Sequence, residues 1–126
     1  MAFMKKKSVP AARISLRPRF RIVCGKEIAF GPGKADLLEQ IAETGSIGAA
    51  AARMDMSYMR AWSLVQAMNQ CFKRPVVESV RGGNERGGAE LTEAGRRVLK
   101  SYRKMEQNAL QRVQADWRVL RQLLRD

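Results

Sequence analysis

Side chains suited to acid–base, metal or nucleophilic chemistry are sparse in this sequence. It has no histidine, which removes the commonest general base and metal ligand. Cys24 and Cys71 have neither metal-ligand spacing nor the density of a secreted disulfide scaffold. The 12 acidic residues are scattered among 24 Lys and Arg residues, and no two carboxylates share an apolar helix face. We therefore expect no enzyme, no metal site and no cofactor, and two reduced, buried thiols in a cytoplasmic protein.

Two glycine-rich segments raise the question of nucleotide binding. A Walker-type phosphate loop needs the pattern G-x-x-x-x-G-K-[ST] after a strand. Neither GPGKAD at residues 31–36 nor RGGNERGG at residues 81–88 has that pattern. The second segment is better suited to contact with duplex DNA than to binding a nucleotide. Its glycines let the backbone lie close to the duplex, and its arginines can bind phosphates or enter a narrow minor groove.

The charge of the chain favours a polyanionic partner. Net charge is +12, and no acidic residue precedes Glu27. Charge alone is compatible with DNA, RNA or anionic lipid. No apolar run approaches the ~20 residues of a membrane-spanning helix, and the basic N-terminus lacks the apolar stretch of a signal peptide. We expect no membrane association.

The elements that must position these groups follow from periodicity. Phe20, Ile22 and Cys24 alternate with other residues as in a half-buried strand, and residues 25–27 turn into a second strand that ends near Phe30. A helix is predicted over residues 34–44, with Gly45 just past its end.

Two short helices come next. Ser46 is the expected N-cap of a helix over residues 47–53, whose alanine run permits close packing on its successor. Residues 54–56 form the turn, and Ser57 caps a helix over residues 58–72. On this second helix the predicted core stripe is Trp62, Val65, Met68 and Phe72. The predicted exposed face is Met59, Arg60, Ser63, Gln66 and Gln70.

A hairpin and a long helix complete the pattern. Strands near residues 76–80 and 89–91 flank the loop 81–88, and Thr92 with Glu93 begins the last helix. That helix has a continuous apolar seam ~45–50 Å long at ~1.5 Å per residue. So long a seam needs a partner, and a second copy is the economical choice. The predicted dimer interface is Tyr102, Met105, Ala109, Val113, Trp117 and Leu120.

The predicted fold is mainly α with small β-hairpins: a winged helix-turn-helix with a long C-terminal dimerisation helix. We divide the chain into a flexible basic arm (residues 1–16), the winged domain (17–91) and the dimerisation helix (92–126). The second helix of such a motif enters the major groove, so its exposed N-terminal residues and the hairpin loop are the candidate DNA-binding groups. They are Ser57, Tyr58, Met59, Arg60 and Ser63, with Arg81, Gly82, Gly83, Asn84 and Arg86.

The residues also resemble a known family. GSI before an alanine-rich helix, SYMRAWSLVQAMNQ and GGAELTEAG are similar to the N-terminal DNA-binding domain of the molybdate-responsive ModE regulators, and more loosely to LysR-type regulators. The resemblance implies a winged helix that dimerises through its long helix and binds palindromic DNA. It assigns DNA contact to Ser57, Tyr58, Arg60 and the loop 81–88.

Two departures from that family pattern bear on function. Asp55 stands where the turn often has glycine, and aspartate tolerates the left-handed conformation. The molybdate-binding domains of the family would follow the long helix, whereas this sequence stops at Asp126. We therefore expect no oxyanion sensing and see no small-molecule effector.

The sequence thus predicts a homodimeric, sequence-specific double-stranded DNA-binding transcriptional regulator, cytoplasmic and nucleoid-associated. One alternative is a nucleoid-type or RNA-associated basic protein that binds without sequence preference. Another is an interaction module whose long helix pairs with a different protein.

Overall fold

The computed structural model describes residues 13–80 and 88–125 of the chain. These residues form β1 (Ile22–Cys24), β2 (Glu27–Phe30), α1 (Pro32–Thr44), α2 (Ile47–Arg53), α3 (Tyr58–Cys71), β3 (Val77–Val80), β4 (Gly88–Leu91), α4 (Glu93–Arg112) and α5 (Gln114–Leu123). The strands make two separate antiparallel hairpins, β1–β2 and β3–β4. One compact unit spans Arg19–Lys104, and the residues on either side of it belong to a second. The predicted fold class, mainly α with small hairpins, is confirmed.

The first hairpin forms where predicted but is more exposed than predicted. Gly25 has φ +63°, which lets the chain reverse between β1 and β2. Only the end of β2 enters the core in the described structure: Phe30 is fully buried, whereas every residue of β1 is exposed. The prediction of a half-buried first strand is therefore wrong, because β2 lies between β1 and the helices.

The two cysteines also differ from their prediction. Cys24 at the end of β1 and Cys71 at the end of α3 are both free and both exposed. Each lies at the terminus of an element on the outer surface, so the prediction of buried thiols is wrong.

Helix α1 begins two residues earlier than predicted. Pro32 occupies the first helical turn, where its fixed φ is compatible with a helix and its missing N–H has no intrahelical partner to lose. The helix ends at Gly45, as predicted: Gly45 has φ +76°, and its N–H donates to the carbonyl of Ile41 at 2.8 Å.

The core joins α1, α2, α3 and the hairpins. Its largest fully buried side chains include Leu37, Leu38 and Ile41 of α1 and Met68 of α3. Each such side chain contributes about 1.5–3 kcal/mol by leaving water. Between α2 and α3 the buried residues are Ala50, Ala51 and Ala61, so the alanine-rich helix does allow close packing.

Tyr102 closes this core from α4. Its ring packs edge-on against Phe30 with centroids 5.0 Å apart, and Phe30 makes a second edge contact with Phe72 at 5.7 Å. The Tyr102 hydroxyl donates to the carbonyl of Phe20 at 2.6 Å. The buried aromatic ring therefore has a partner for its one polar group.

The last helix is two helices. Thr92 directly precedes α4 and caps it, since its hydroxyl accepts a hydrogen bond from the N–H of Gly95 at 2.9 Å. Val113, with φ −101° and ψ 12°, separates α4 from α5. The prediction of one unbroken helix is wrong at this residue. Valine is a weaker helix former because it is β-branched. The spacing of the apolar residues did not reveal the break, because Val113 is a single irregular residue that keeps its hydrogen bonds to Ala109 and Trp117.

Candidate nucleic-acid interface

The turn between α2 and α3 sets the angle at which α3 is presented. Asp55 is the non-glycine residue with a positive φ, +56°, in the described chain. The N–H of Met56 then donates back to the carbonyl of Ala51 at 3.0 Å, which closes the turn. An aspartate is among the few residues that adopt this left-handed conformation at low cost. The predicted turn therefore forms without glycine.

Ser57 fixes the N-terminus of α3. Its hydroxyl oxygen accepts a hydrogen bond from the N–H of Arg60 at 3.1 Å, as predicted for an N-cap. A serine hydroxyl has one proton to donate besides its acceptor lone pairs. The cap therefore leaves that proton for an anion near the helix N-terminus, where the helix dipole also favours negative charge.

The N-terminal half of α3 is exposed on its outer face. Tyr58 is 51% exposed and Met59 63% exposed, and Arg60 and Ser63 are exposed as well. Farther along, Gln70 is exposed and Gln66 half-buried. The opposite face carries the core residues Ala61, Val65 and Met68. The first turns of α3 thus present aromatic, thioether, guanidinium and hydroxyl groups to solvent.

Trp62 was predicted in the core, and this prediction is wrong: the side chain is 41% exposed. The buried stripe of α3 is Ala61, Val65 and Met68, at spacings of four and three residues. Trp62 is turned by ~100° from Ala61 around the helix. Trp62 was predicted in the core because it lies on one helical stripe with Val65, Met68 and Phe72. The alanine run of α2 was the available sign that a small residue, Ala61, faces the neighbouring helix.

Electrostatics leave Arg60 available for a ligand. The ion pairs in the described ranges join Arg53 to Glu43 at 2.8 Å, and Arg103 to Asp36 and Glu39 at 2.8 and 2.7 Å. Those two arginines link α2 and α4 to α1. Among the described residues Arg60 has no carboxylate partner, so no ion pair has to break before it binds.

The second hairpin lies beside these helices. Val77 pairs with Leu91 and Val80 with Gly88, so β3 and β4 are in register along their whole described length. The Ala89 N–H of β4 donates to the carbonyl of Gly45 at 3.0 Å. The predicted loop residues Arg81, Gly82, Gly83, Asn84 and Arg86 lie outside the described residues.

Asn69 connects α3 to the second hairpin, and no sequence pattern predicted this role. Its Oδ1 accepts from the N–H groups of Val76 and Val77 at 2.7 and 3.2 Å, and its Nδ2 donates to the carbonyl of Val77 at 3.2 Å. The side chain thus joins α3 to the start of β3. An asparagine on the flank of an amphipathic helix, followed within ten residues by a strand, was the only available signal.

The predicted dimer residues have different environments. Tyr102 is 3% exposed and packs in the core of its own domain, so it has almost no surface to offer a second copy. Met105 is 39% and Leu120 57% exposed, and Ala109, Val113 and Trp117 are half-buried. On α5, Val119 and Leu123 are also exposed, by 60% and 76%, and neither residue belongs to the predicted seam.

The described part of the chain brings together no group of three or more His, Cys, Asp or Glu side chains that could hold a metal ion. Within these ranges no helix combines the length and apolar character needed to cross a bilayer.

Two helices joined by a tight turn, followed by an antiparallel hairpin, define the winged helix-turn-helix class. The model of the bacterial regulatory helix-turn-helix proteins of the lysR family matches residues 34–96, which run from α1 into α4. The chain belongs to this family.

Curated relatives support the resemblance drawn from the sequence. The chain is 45% identical over 77 residues to the molybdenum-pterin-binding protein MopB of Rhodobacter capsulatus, covering 61% of this chain and 28% of MopB. It is 42% identical over 88 residues to the molybdenum transport protein ModE of Azotobacter vinelandii, covering 68% of this chain and 33% of that protein. The chain therefore spans about a third of the length of these relatives.

Among solved structures, the crystal structure of a CbnR_DBD–DNA complex is similar. It has a TM-score of 0.54 and 23% identity, and the match covers 70% of this chain and 95% of that one. At this identity the similarity shows a shared fold.

Proposed function

We propose that this protein is a homodimeric transcriptional regulator that binds specific double-stranded DNA sequences. The observation that carries the proposal is the two-sided character of α3. Its inner face consists of buried apolar residues, whereas the first turns of its outer face expose Tyr58, Met59, Arg60 and Ser63. Membership of a family of regulatory helix-turn-helix proteins and a net charge of +12 support the same conclusion.

The chemistry of these groups suits the major groove. A helix ~10–12 Å wide fits a groove ~12 Å wide, so the exposed N-terminal turns of α3 reach base edges. Arg60, with no ion-pair partner in the described chain, suits bidentate hydrogen bonding to guanine O6 and N7. The hydroxyls of Ser57 and Tyr58 suit phosphates, and Met59 suits a thymine methyl group. Exposed Trp62 adds an aromatic side chain next to this surface.

The hairpin loop completes the proposed contact. Arg81 and Arg86, with Gly82, Gly83 and Asn84 between them, stand between β3 and β4 in the sequence. Guanidinium groups there would bind phosphates independently of sequence. Positioning by phosphate contacts and discrimination by base contacts are separate terms, and we assign the first to the loop and the second to α3.

A second copy is the proposed partner of the C-terminal helices. Leu120 and Leu123 are 57% and 76% exposed on α5, and Met105 of α4 is 39% exposed. Apolar side chains exposed in this number along one pair of helices favour association. In a two-fold symmetric dimer the two α3 helices would occupy major grooves ~34 Å apart on a pseudo-palindrome.

Selection from sheared genomic DNA at ~150 mM salt tests the proposal, because non-specific binding is suppressed at that salt concentration. Recovery of one two-fold symmetric motif supports it. Even recovery across the genome would instead indicate a basic architectural or RNA-associated protein. Arg118→Ala, which removes one exposed arginine from α5, is the charge-matched control for variants of α3.

A further inference from the structure

We propose that Asn69 is a positioning residue that fixes the β3–β4 hairpin to α3, so that helix and hairpin meet one DNA duplex as a single body. The position of the hairpin on α3 is a property of the protein alone, whereas its effect on a duplex rests on the proposed DNA-binding function.

The geometry gives Asn69 an unusual number of backbone partners for one half-buried side chain. One oxygen accepts two hydrogen bonds, from Val76 N–H at 2.7 Å and Val77 N–H at 3.2 Å. The amide nitrogen donates to the Val77 carbonyl at 3.2 Å. All three bonds run from one residue of α3 to the two residues at which the chain enters β3.

An amide is the side chain that meets this demand. Val76 is fully buried and Val77 is 5% exposed, so their N–H groups cannot turn to bulk water for an acceptor. A carboxylate would accept the hydrogen bonds from both N–H groups. Its second oxygen would then face the Val77 carbonyl, and two acceptors cannot form a hydrogen bond with each other. A leucine, nearly the same shape as asparagine, would leave all three backbone groups without this partner.

Other contacts hold the same hairpin to other elements. Thr92 ties the start of β3 to α4: its N–H donates to the Val76 carbonyl at 3.0 Å and its hydroxyl to the Pro75 carbonyl at 2.6 Å. On the other strand, Ala89 is bonded to Gly45 at the turn between α1 and α2. Asn69 adds the side-chain link to α3.

A link of this kind matters because the hairpin is small. Two strands of four residues each are marginally stable alone and take their position from what they pack against. If the loop of this hairpin and the first turns of α3 both contact DNA, their relative position decides whether they reach the same duplex together. Without the link, the hairpin loop and α3 would no longer be held in position to contact the same duplex together, although every DNA-contacting side chain would still be present.

The first arm of the test measures position without DNA. In a chain with Cys24→Ser and Cys71→Ser, spin labels are placed at the exposed residues Ser63 of α3 and Ser79 of β3. The distance distribution between the labels is compared for the parent, Asn69→Leu, Asn69→Asp and Val65→Ala. Val65→Ala is the control, since it weakens the core of α3 but leaves the hydrogen bonds of Asn69 intact.

We expect a broader or shifted distribution for Asn69→Leu, a smaller change for Asn69→Asp, and the parental distribution for Val65→Ala. All chains are measured well below their unfolding temperatures, as monitored by circular dichroism. An unchanged distribution for Asn69→Leu would overturn the inference. If Asn69→Leu does not fold, the Asn69→Asp variant, which keeps the acceptor oxygens, decides by the same criterion.

The second arm measures binding to duplex DNA against salt concentration. Each phosphate contact contributes ~0.9 to the slope of log K against log salt. We expect Asn69→Leu to lower the slope by about one to two units, and Val65→Ala to leave it unchanged. A changed distance distribution with an unchanged slope would overturn the link to DNA binding. A parent chain that binds no duplex would instead refute the proposed function, while the distance measurement would still test the position of the hairpin.

Discussion

Gly95 of α4 lies so close to Val76 that a methyl group on its Cα would overlap the backbone carbonyl of that residue. The overlap is with main-chain atoms, which have no alternative rotamer to adopt. Gly95→Ala must therefore move the start of α4 away from β3, and we expect it to lower the free energy of unfolding by about 1–3 kcal/mol. Urea denaturation monitored by circular dichroism measures this.

Gly33 provides the matched control for that substitution. It lies in the first turn of α1, and a Cβ added there would meet nothing within 4 Å. Gly33→Ala should leave stability unchanged or raise it by up to ~1 kcal/mol, because alanine is the better helix former. Equal effects of the two substitutions would contradict the steric explanation for Gly95.

Substitutions at Asp55 measure how much the left-handed conformation of the turn before α3 costs in stability. Because its φ is +56°, Asp55→Gly should keep or slightly raise stability, whereas Asp55→Val should lower it by at least ~1–2 kcal/mol. Thermal unfolding of both variants at the same pH checks the order. A valine variant as stable as the parent would mean that the turn has another conformation.

Arg60 is expected to determine one base per half-site. Removing a bidentate contact to guanine should cost ~1–3 kcal/mol and relax preference at that position only. The test is a repeat of the genomic selection with Arg60→Ala, beside Arg118→Ala. An unchanged motif in the Arg60 variant would exclude this role.

The two loop arginines predicted from sequence should behave differently. Arg81→Ala or Arg86→Ala should weaken binding to all sequences alike and lower the salt slope by about one unit, since each would remove a phosphate contact. Titrations of a selected and an unrelated duplex at several salt concentrations separate this from base recognition. Unaltered slopes would show that the loop does not bind phosphate.

Trp62 should matter more for binding than for stability. Because its side chain is 41% exposed, Trp62→Ala should change the unfolding midpoint less than Val65→Ala, whose valine is 2% exposed. In a Trp117→Phe background the fluorescence of Trp62 reports its surroundings directly, and we expect it to change when a selected duplex is added. Constant fluorescence together with unchanged affinity of Trp62→Ala would place this side chain outside the interface.

Sequence patterns predicted the backbone of this domain better than its side-chain environments. Ser46, Ser57 and Gly45 marked helix ends correctly, because capping is local chemistry of one residue and its next few neighbours. Trp62 was misassigned because its neighbour Ala61 is the residue that faces the alanines of α2. That choice depends on the distance between two helices, which no single-helix pattern contains.

The surroundings of Asn69 and Tyr102 could not be predicted from sequence for a related reason. The bonding partners of Asn69 are seven and eight residues away in sequence, and those partners are backbone groups that any residue would supply. Tyr102 fitted the apolar seam of the last helix, yet its hydroxyl finds its acceptor at Phe20, 82 residues away. Periodicity identifies a buried face but not the molecule that buries it.

The contact between Phe30 and Tyr102 also has a consequence for synthesis of the chain. Phe30 leaves the ribosome 72 residues before Tyr102, an interval of roughly 4–14 s at ~5–20 residues per second. During that time Phe30 and the apolar face of α1 lack the ring that covers them in the finished domain. The core is completed only when α4 emerges, so the nascent chain spends seconds with exposed apolar surface, the state in which aggregation and chaperone binding compete with folding.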